Sequence, residues 1–107
     1  MKLVLAIVSD EDCSDVTSAL TKDSFQVTRL ATTGGFLKSG NSTLICGVED
    51  SKVDTVISII EKHSKKRTQI VPSNGAFDVG HLGTYPIEVQ VGGATIFVLD
   101  IEQFIKM

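Results

Sequence analysis

The chain has 107 residues, of which 42% are hydrophobic and 21% are charged, and its formal net charge at pH 7 is -3. This length is enough for a single core without disulfides or metals, so we expect one domain over residues 1–107. The slight negative charge disfavours a broad nucleic-acid surface, and the apolar run at residues 3–8 is far too short to span a membrane.

The first half of the chain predicts a strand, a helix and two further strands. Residues 2–8 form an almost unbroken apolar run that turns acidic at Asp10, which indicates a central strand rather than a signal peptide. A helix is expected over residues 13–22, and alternating strands over residues 25–30 and 42–48.

Three polar residues, Ser9, Asp10 and Asp12, precede the first predicted helix. Their side chains suit the N-cap and the positive end of the helix dipole. A metal site is the alternative, but no histidine or spaced partner acid accompanies them, so we expect capping and no metal.

The second half predicts a helix, a hairpin and a last core strand. Asp50 or Ser51 is expected to cap a helix whose apolar positions recur at helical spacing. Residues 68–71 are expected to pair antiparallel with residues 85–91, and residues 94–99 form the last core strand. A short helical turn is predicted over residues 100–104.

The order of these elements predicts an α+β, ferredoxin-like (βαββαβ) fold. Two helices would cover one face of a four-stranded antiparallel sheet, with a hairpin inserted before the last core strand. The other sheet face is left apolar by the strand pattern, which predicts that another subunit covers it.

Cysteine usage bears on the cellular compartment. Cys13 and Cys46 lie in unlike contexts and form no CxxC or Cys/His ligand spacing. Two reduced thiols in a cytoplasmic protein are therefore expected rather than a disulfide.

The loop at residues 31–41, ATTGGFLKSGN, concentrates small polar residues around one aromatic ring. Glycines let backbone amides approach an anion, threonine and asparagine add hydrogen-bonding groups, and Phe36 offers a flat face. These features suit a planar, phosphorylated ligand. An ordinary hairpin loop, with glycines for geometry, explains the same composition equally well.

The sequence predicts a binding module rather than an enzyme. The histidines, His63 and His81, fall in a charged helix end and in a loop, and no catalytic triad is apparent. No Gly-Lys-Ser/Thr phosphate loop occurs, and the acidic stretch 9–12 would repel the substrate of an acylphosphatase-like site. No cofactor is expected.

Three blocks of sequence are more specific: KLVLAIVSDED, then LATTGGFLKSGN with TLICGV, and finally YPIEVQVGGATIFVL. Together they resemble the PII-like cyclic di-AMP receptors of Gram-positive bacteria, a trimeric signal-transduction family, over nearly the whole chain. The resemblance implies a homotrimer with cyclic di-AMP in the clefts between subunits.

The resemblance also implies a set of ligand-binding residues. Thr28 and Asn41 would contact one adenine, Gly47 would leave room for the ligand, and Phe97 would form an aromatic wall. The complete set is Gln26, Val27, Thr28, Gly35, Phe36, Leu37, Asn41, Gly47, Gly92 and Phe97.

The chain departs from the family pattern at two places. Gln26 stands where the family usually has a basic residue, although Arg29 and Lys38 keep positive charge nearby. The loop at residues 72–84 is shorter than is usual. We expect ligand to order this loop and the loop at 31–41, which changes the surface that a protein partner meets.

Two alternatives share this fold. A PII-type sensor of ATP or ADP depends on basic residues in its nucleotide loops, and residues 72–84 contain no lysine or arginine. A protein-only adaptor trimer would use the same loops without a nucleotide.

Overall fold

A computed structural model describes residues 1–30, 40–72 and 86–107 of the chain. The elements are β1 (Lys2–Ser9), α1 (Asp10–Lys22), β2 (Thr28–Leu30), β3 (Asn41–Val48), a 3-10 turn (Asp50–Lys52), α2 (Val53–His63), β4 (Arg67–Pro72), β5 (Pro86–Val91) and β6 (Ala94–Asp100). The predicted helical turn at residues 100–104 is wrong, because the chain beyond Asp100 has no helix.

The four core strands form one antiparallel sheet in the order β2-β3-β1-β6. β4 and β5 pair with each other in a separate two-stranded antiparallel hairpin, which we call the arm. The ferredoxin-like prediction, including the hairpin insertion, is therefore confirmed. None of the helices in the described ranges is long and apolar enough to cross a membrane.

One face of the sheet packs against both helices, and it holds the hydrophobic core. Alternate residues of β1 and β3 point to this face because side chains alternate along a strand. The buried residues of the core are Val4, Ala6, Val8, Cys13, Val16, Leu20, Leu44, Cys46, Val48, Val56 and Ile60. Both cysteines are free thiols within this core.

The acidic stretch after β1 begins α1, three residues earlier than predicted. The Ser9 hydroxyl accepts a hydrogen bond from the backbone N–H of Glu11, so Ser9 is the N-cap as expected. Asp12 is not a capping residue, because its carboxylate is buried and pairs with Arg67 on the arm. The described residues contain no cluster of potential metal ligands.

Neither Asp50 nor Ser51 caps α2, contrary to the prediction. Residues Asp50–Lys52 form a 3-10 turn, and Lys52 occupies the N-cap position without a side-chain hydrogen bond. The Asp50 carboxylate instead lies 2.6 Å from the amino group of Met1. This ion pair lowers the pKa of Asp50.

β2 is shorter than predicted and begins at Thr28. Ser24 adopts a φ of 68°, and the next residues turn toward the sheet without joining its ladder. The side chains of Phe25 and Val27 nevertheless pack against the core, so the predicted alternation of faces holds.

The second sheet face carries no helix, and we call it the open face. It presents the half-buried side chains of Leu3, Leu5 and Ile7 from β1. On the edge strand β6, Phe97 and Leu99 are 48% and 47% exposed on the same face. The predicted apolar, uncovered face is therefore present in the single chain.

Candidate functional site

Asn41 and Gly92, two of the predicted ligand-binding residues, meet at one end of the sheet. Asn41 begins β3 opposite Ser9, and Gly92 lies in the connection between β5 and β6. They border a cavity of 320 Å³ that we call the Asn41 cavity. Its lining residues are Ile7, Val8, Ser9, Asn41, Lys66, Gly92, Gly93, Ala94 and Thr95.

The groups that line this cavity can recognise a polar ligand. Asn41 offers an amide with both donors and an acceptor, Ser9 and Thr95 offer hydroxyls, and Lys66 offers an ammonium group. No carboxylate belongs to the lining residues in the described part of the chain. The cavity is thus suited to an anion or to the hydrogen-bonding edge of a base.

Leu30 and Gly40 are the described residues on either side of the predicted loop. Leu30 ends β2 opposite Thr43, and Gly40 directly precedes Asn41. The Gly40 carbonyl accepts a hydrogen bond of 2.8 Å from the backbone N–H of Asp10, which ties this edge to the start of α1. Gly35, Phe36, Leu37 and Lys38 lie outside the described residues, so their predicted contacts stay predictions.

Gly92 has a structural role that is independent of any ligand. Its φ is 86°, and a Cβ atom at this position would collide with the backbone carbonyl of Lys65 and lie 2.7 Å from Arg67 Nη1. The next residue, Gly93, also has a positive φ and donates its N–H to the carbonyl of Ser64. These glycines let the returning strand cross closely over the chain that follows α2.

Arg67 anchors the base of the arm to α1. Its guanidinium donates to the Asp12 carboxylate at 2.8 Å and 3.2 Å, and to the Lys65 carbonyl at 3.0 Å. The hydrogen bonds to Asp12 are the main reason that the pKa of Arg67 is raised. Because Asp12 is buried, this charged pair holds the arm at a defined position next to the cavity.

Arg29, which was expected to keep positive charge near Gln26, directs its guanidinium away from the open face. Its guanidinium lies on the helix side of the sheet, 2.9 Å from the Ser42 hydroxyl and 3.6 Å from the Asp10 carboxylate. Side chains alternate between the two faces along a strand. Because Thr28 points to the open face, the next residue, Arg29, points to the opposite face.

Two other predicted residues, Thr28 and Phe97, are not among the lining residues of the Asn41 cavity. Thr28 pairs with Ile45 on the open face, in a transverse row that continues through Leu5 to Phe97. Thr28 and Phe97 are separated by three strand spacings, or about 14 Å. Both side chains are exposed, and Phe97 lies two residues from the cavity residue Thr95 on the same face.

Gly47 lies six residues from Asn41 along β3, which is about 20 Å. A Cβ at Gly47 would meet the side chains of Met1, Ile101 and Phe104 at 3.6 to 3.8 Å, which is ordinary contact. The space beside Gly47 is therefore bordered by the two ends of the same chain.

The remaining two predicted residues, Gln26 and Val27, directly precede Thr28. Gln26 is exposed and precedes β2, whereas the side chain of Val27 packs toward the core. Within the part of the chain that the structure describes, neither Thr28 nor Gly47 lines the cavity that Asn41 and Gly92 border.

Sequence reasoning missed Lys66 as a cavity residue. It falls within the basic run at residues 62–67, which indicated only favourable charge at the end of α2. Its position beside Asn41 depends on the chain reversal after α2 and on the register of β1 with β3 and β6, which no local pattern reveals.

Comparison with known proteins agrees with this architecture. A solved structure from Pediococcus pentosaceus, described as a functionally unknown protein, matches with a TM-score of 0.77 and 40% sequence identity, covering 99% of this chain and 96% of that one. The family described as cyclic-di-AMP receptor matches residues 1–107. The chain therefore belongs to the cyclic-di-AMP receptor family.

Proposed function

We propose that this protein is a cytoplasmic signal-transduction protein that binds cyclic di-AMP in the clefts between the subunits of a homotrimer. One observation carries the proposal: the implied ligand residues form two separated groups on one chain. Asn41 lies about 20 Å from Gly47, so the described residues of one copy do not bring both against the same cavity. A second copy that places its Thr28 and Gly47 against the Asn41 cavity completes the site.

The open face supports assembly with further copies of the chain. Leu3, Leu5, Ile7 and Ile45 lie side by side on it, and Phe97 and Leu99 are about half exposed on the edge strand. Contiguous apolar surface of this kind is normally covered by a partner. The occupant that we propose is a second copy, and the PII-like resemblance implies three copies in all.

The chemistry of the two groups suits an adenine dinucleotide. An asparagine side chain can pair with the donor and acceptor on the edge of adenine, and Asn41 presents such an amide in the cavity. Stacking of a base on an aromatic ring such as Phe97 is worth about 1–3 kcal/mol. Together with two or three polar contacts, this reaches about -8 kcal/mol, which corresponds to micromolar affinity.

Signalling would follow from contact between the ligand and the base of the arm. Gly92 and Gly93 line the cavity and connect β5 to β6, so a ligand there touches both the core sheet and the arm. Ligand would favour one arrangement of the loops at residues 31–41 and 72–84. This arrangement would determine the surface that the protein offers to a protein partner. The size of this shift is limited by the difference in ligand affinity between the two arrangements.

Titration calorimetry tests the ligand. Cyclic di-AMP should bind with micromolar or tighter affinity, and ATP, AMP and cyclic di-GMP should bind far more weakly. Preferential binding of ATP would replace the proposal with a PII-type nucleotide sensor. Absence of heat with every nucleotide would favour a protein-only adaptor.

The role of Asn41 is tested in the same titration. Asn41→Ala should weaken binding of cyclic di-AMP at least about tenfold, since it removes the hydrogen bonds that the Asn41 amide would make to the ligand in the cavity that it lines. Gln90→Ala, which removes an exposed amide of β5 that does not line the Asn41 cavity, is the matched control. Unchanged affinity of Asn41→Ala would remove Asn41 from the site.

Light scattering during size exclusion tests the assembly. The subunit mass is 11.5 kDa, so a particle of three times that mass is expected. A monomer that binds the ligand with full affinity would contradict the shared site.

A further inference from the structure

Lys66 is placed to act on the phosphate of the ligand. It lies between α2 and β4, in the corner where the chain turns back toward the sheet. A Cβ at Gly93 would lie 3.9 Å from Lys66 Cβ, so the lysine side chain starts beside the glycine corner and lines the Asn41 cavity.

The two arginines near this end of the molecule are already close to carboxylates. Arg67 binds Asp12, with Glu11 at 3.6 Å, and Arg29 lies 3.6 Å from Asp10. Lys66 forms no ion pair with any residue that the structure describes. It is the one cation that lines the cavity within these ranges.

We infer that Lys66 contacts a phosphate oxygen of the bound dinucleotide. This inference rests on the proposed function, because it assigns a contact within the same site. A phosphodiester carries one negative charge at neutral pH, and an ammonium group offers three donors to it as a compact point charge. Among the described residues, the cavity lining contributes no carboxylate to compete for the lysine, and the neighbouring Asn41 amide can read the base.

A second cavity provides the alternative position for the same side chain. It has a volume of 400 Å³, lies toward α2, and is bordered by Glu61, Lys65 and Lys66. If Lys66 turned toward Glu61, it would form an exposed pair and leave the phosphate uncontacted. Lys65 borders this second cavity but not the Asn41 cavity, so it is a matched control of the same charge one residue away.

The test is a calorimetric titration of cyclic di-AMP into the full-length wild type and the variants Lys66→Gln, Lys66→Arg and Lys65→Gln. Lys66→Gln should weaken binding by about tenfold to a hundredfold, as expected for a lost hydrogen bond to a charged group. Lys66→Arg, which keeps the charge, should recover most of that affinity. Lys65→Gln should remain within about twofold of the wild type, since an exposed charge outside the cavity is screened.

Ionic strength provides an independent readout. Raising the salt concentration should weaken wild-type binding more than Lys66→Gln binding, because only the wild type has the lysine–phosphate attraction to screen. Unfolding curves of the variants should match the wild type, since Lys66 and Lys65 are exposed.

The outcomes separate this inference from the proposed function. If the wild type does not bind cyclic di-AMP, the proposed function fails. If the wild type binds and Lys66→Gln binds equally well, the inference fails while the function stands. Equal losses in Lys66→Gln and Lys65→Gln would also overturn it, because they would show a general effect of charge rather than a contact.

Discussion

Alanine substitution at three glycines should affect stability in the order Gly92, Gly93, Gly47, from most to least destabilising. Gly92 and Gly93 have φ angles of 86° and 84°, a conformation in which a side chain costs about 1–3 kcal/mol. Gly93→Ala should carry this cost alone, since its Cβ would meet nothing closer than 3.9 Å.

Gly92→Ala adds a collision to the same backbone cost. Its Cβ would overlap the Lys65 carbonyl and lie 2.7 Å from Arg67 Nη1. The backbone cannot yield without moving the base of the arm, and movement of Arg67 would disturb its bonds to Asp12. Overpacking of this kind costs about 1–3 kcal/mol, so the total should be about 2–6 kcal/mol.

Gly47→Ala is the internal control. Its nearest neighbours would be side-chain atoms at ordinary contact distance, and there is no cost of backbone strain because Gly47 does not have a positive φ. Glycine in a strand is about 0.5–1 kcal/mol less stable than alanine, so this variant should match or slightly exceed the wild type. Loss of ligand binding in a stable Gly47→Ala protein would then indicate direct steric conflict with the ligand.

Urea unfolding at one fixed subunit concentration measures the three differences, since assembly makes stability concentration-dependent. A Gly92→Ala protein as stable as Gly93→Ala would refute the close approach between Gly92 and Lys65. The series also bears on function. If Gly92→Ala is the least stable variant, its loss of ligand affinity cannot be taken as evidence of a direct contact.

Three further predictions concern the rest of the fold. Asp12→Asn should lower the free energy of unfolding by about 1.5–3 kcal/mol, because Arg67 loses its charged acceptor. Glu11→Gln, which removes a carboxylate 3.6 Å from Arg67, should cost far less. Equal effects of the two substitutions in urea unfolding would contradict this prediction. Burial raises the pKa of Cys46. The protonated thiol therefore contributes stability that is present below the ordinary thiol pKa of about 8.5 and is lost as the pH rises toward the pKa of Cys46 in the folded protein. Cys46→Ala should therefore lose less stability than the wild type between neutral pH and about pH 10, and identical losses would refute the effect. Leu5→Glu, at the centre of the open face, should give a monomer by light scattering, and an unchanged mass would show that this face is not the interface.

Local pattern was sufficient for most of the architecture. The alternation of residues 42–48 predicted that Leu44, Cys46 and Val48 share one face of β3, and the helical spacing of Val56 and Ile60 predicted the packed face of α2. These predictions succeed because side-chain direction in a strand or helix depends on position along the same element. The pairing of the two strands of the arm was also predicted, from two short strand-like runs on either side of a glycine-bearing loop.

The end points of helices were less predictable, since they depend on which polar groups the folded chain brings near. Asp50 was an acceptable N-cap by sequence, but the amino group of Met1 lies beside it in the fold and pairs with its carboxylate. Asp12 likewise looked like part of a capping cluster, and its partner Arg67 lies 55 residues away in sequence.

Part of the candidate site could be predicted from the sequence, and the rest depended on the tertiary structure. Sequence by itself determined the family, through blocks such as LATTGGFLKSGN and VGGATIFVL, and it therefore determined the class of ligand to test. Only the tertiary structure decided that Arg29 faces the helices, that Lys66 borders the cavity of Asn41, and that Gly47 lies at the far end of β3. The physical reason is that a strand's face is set locally, whereas strand register and chain reversals are set by packing between residues distant in sequence.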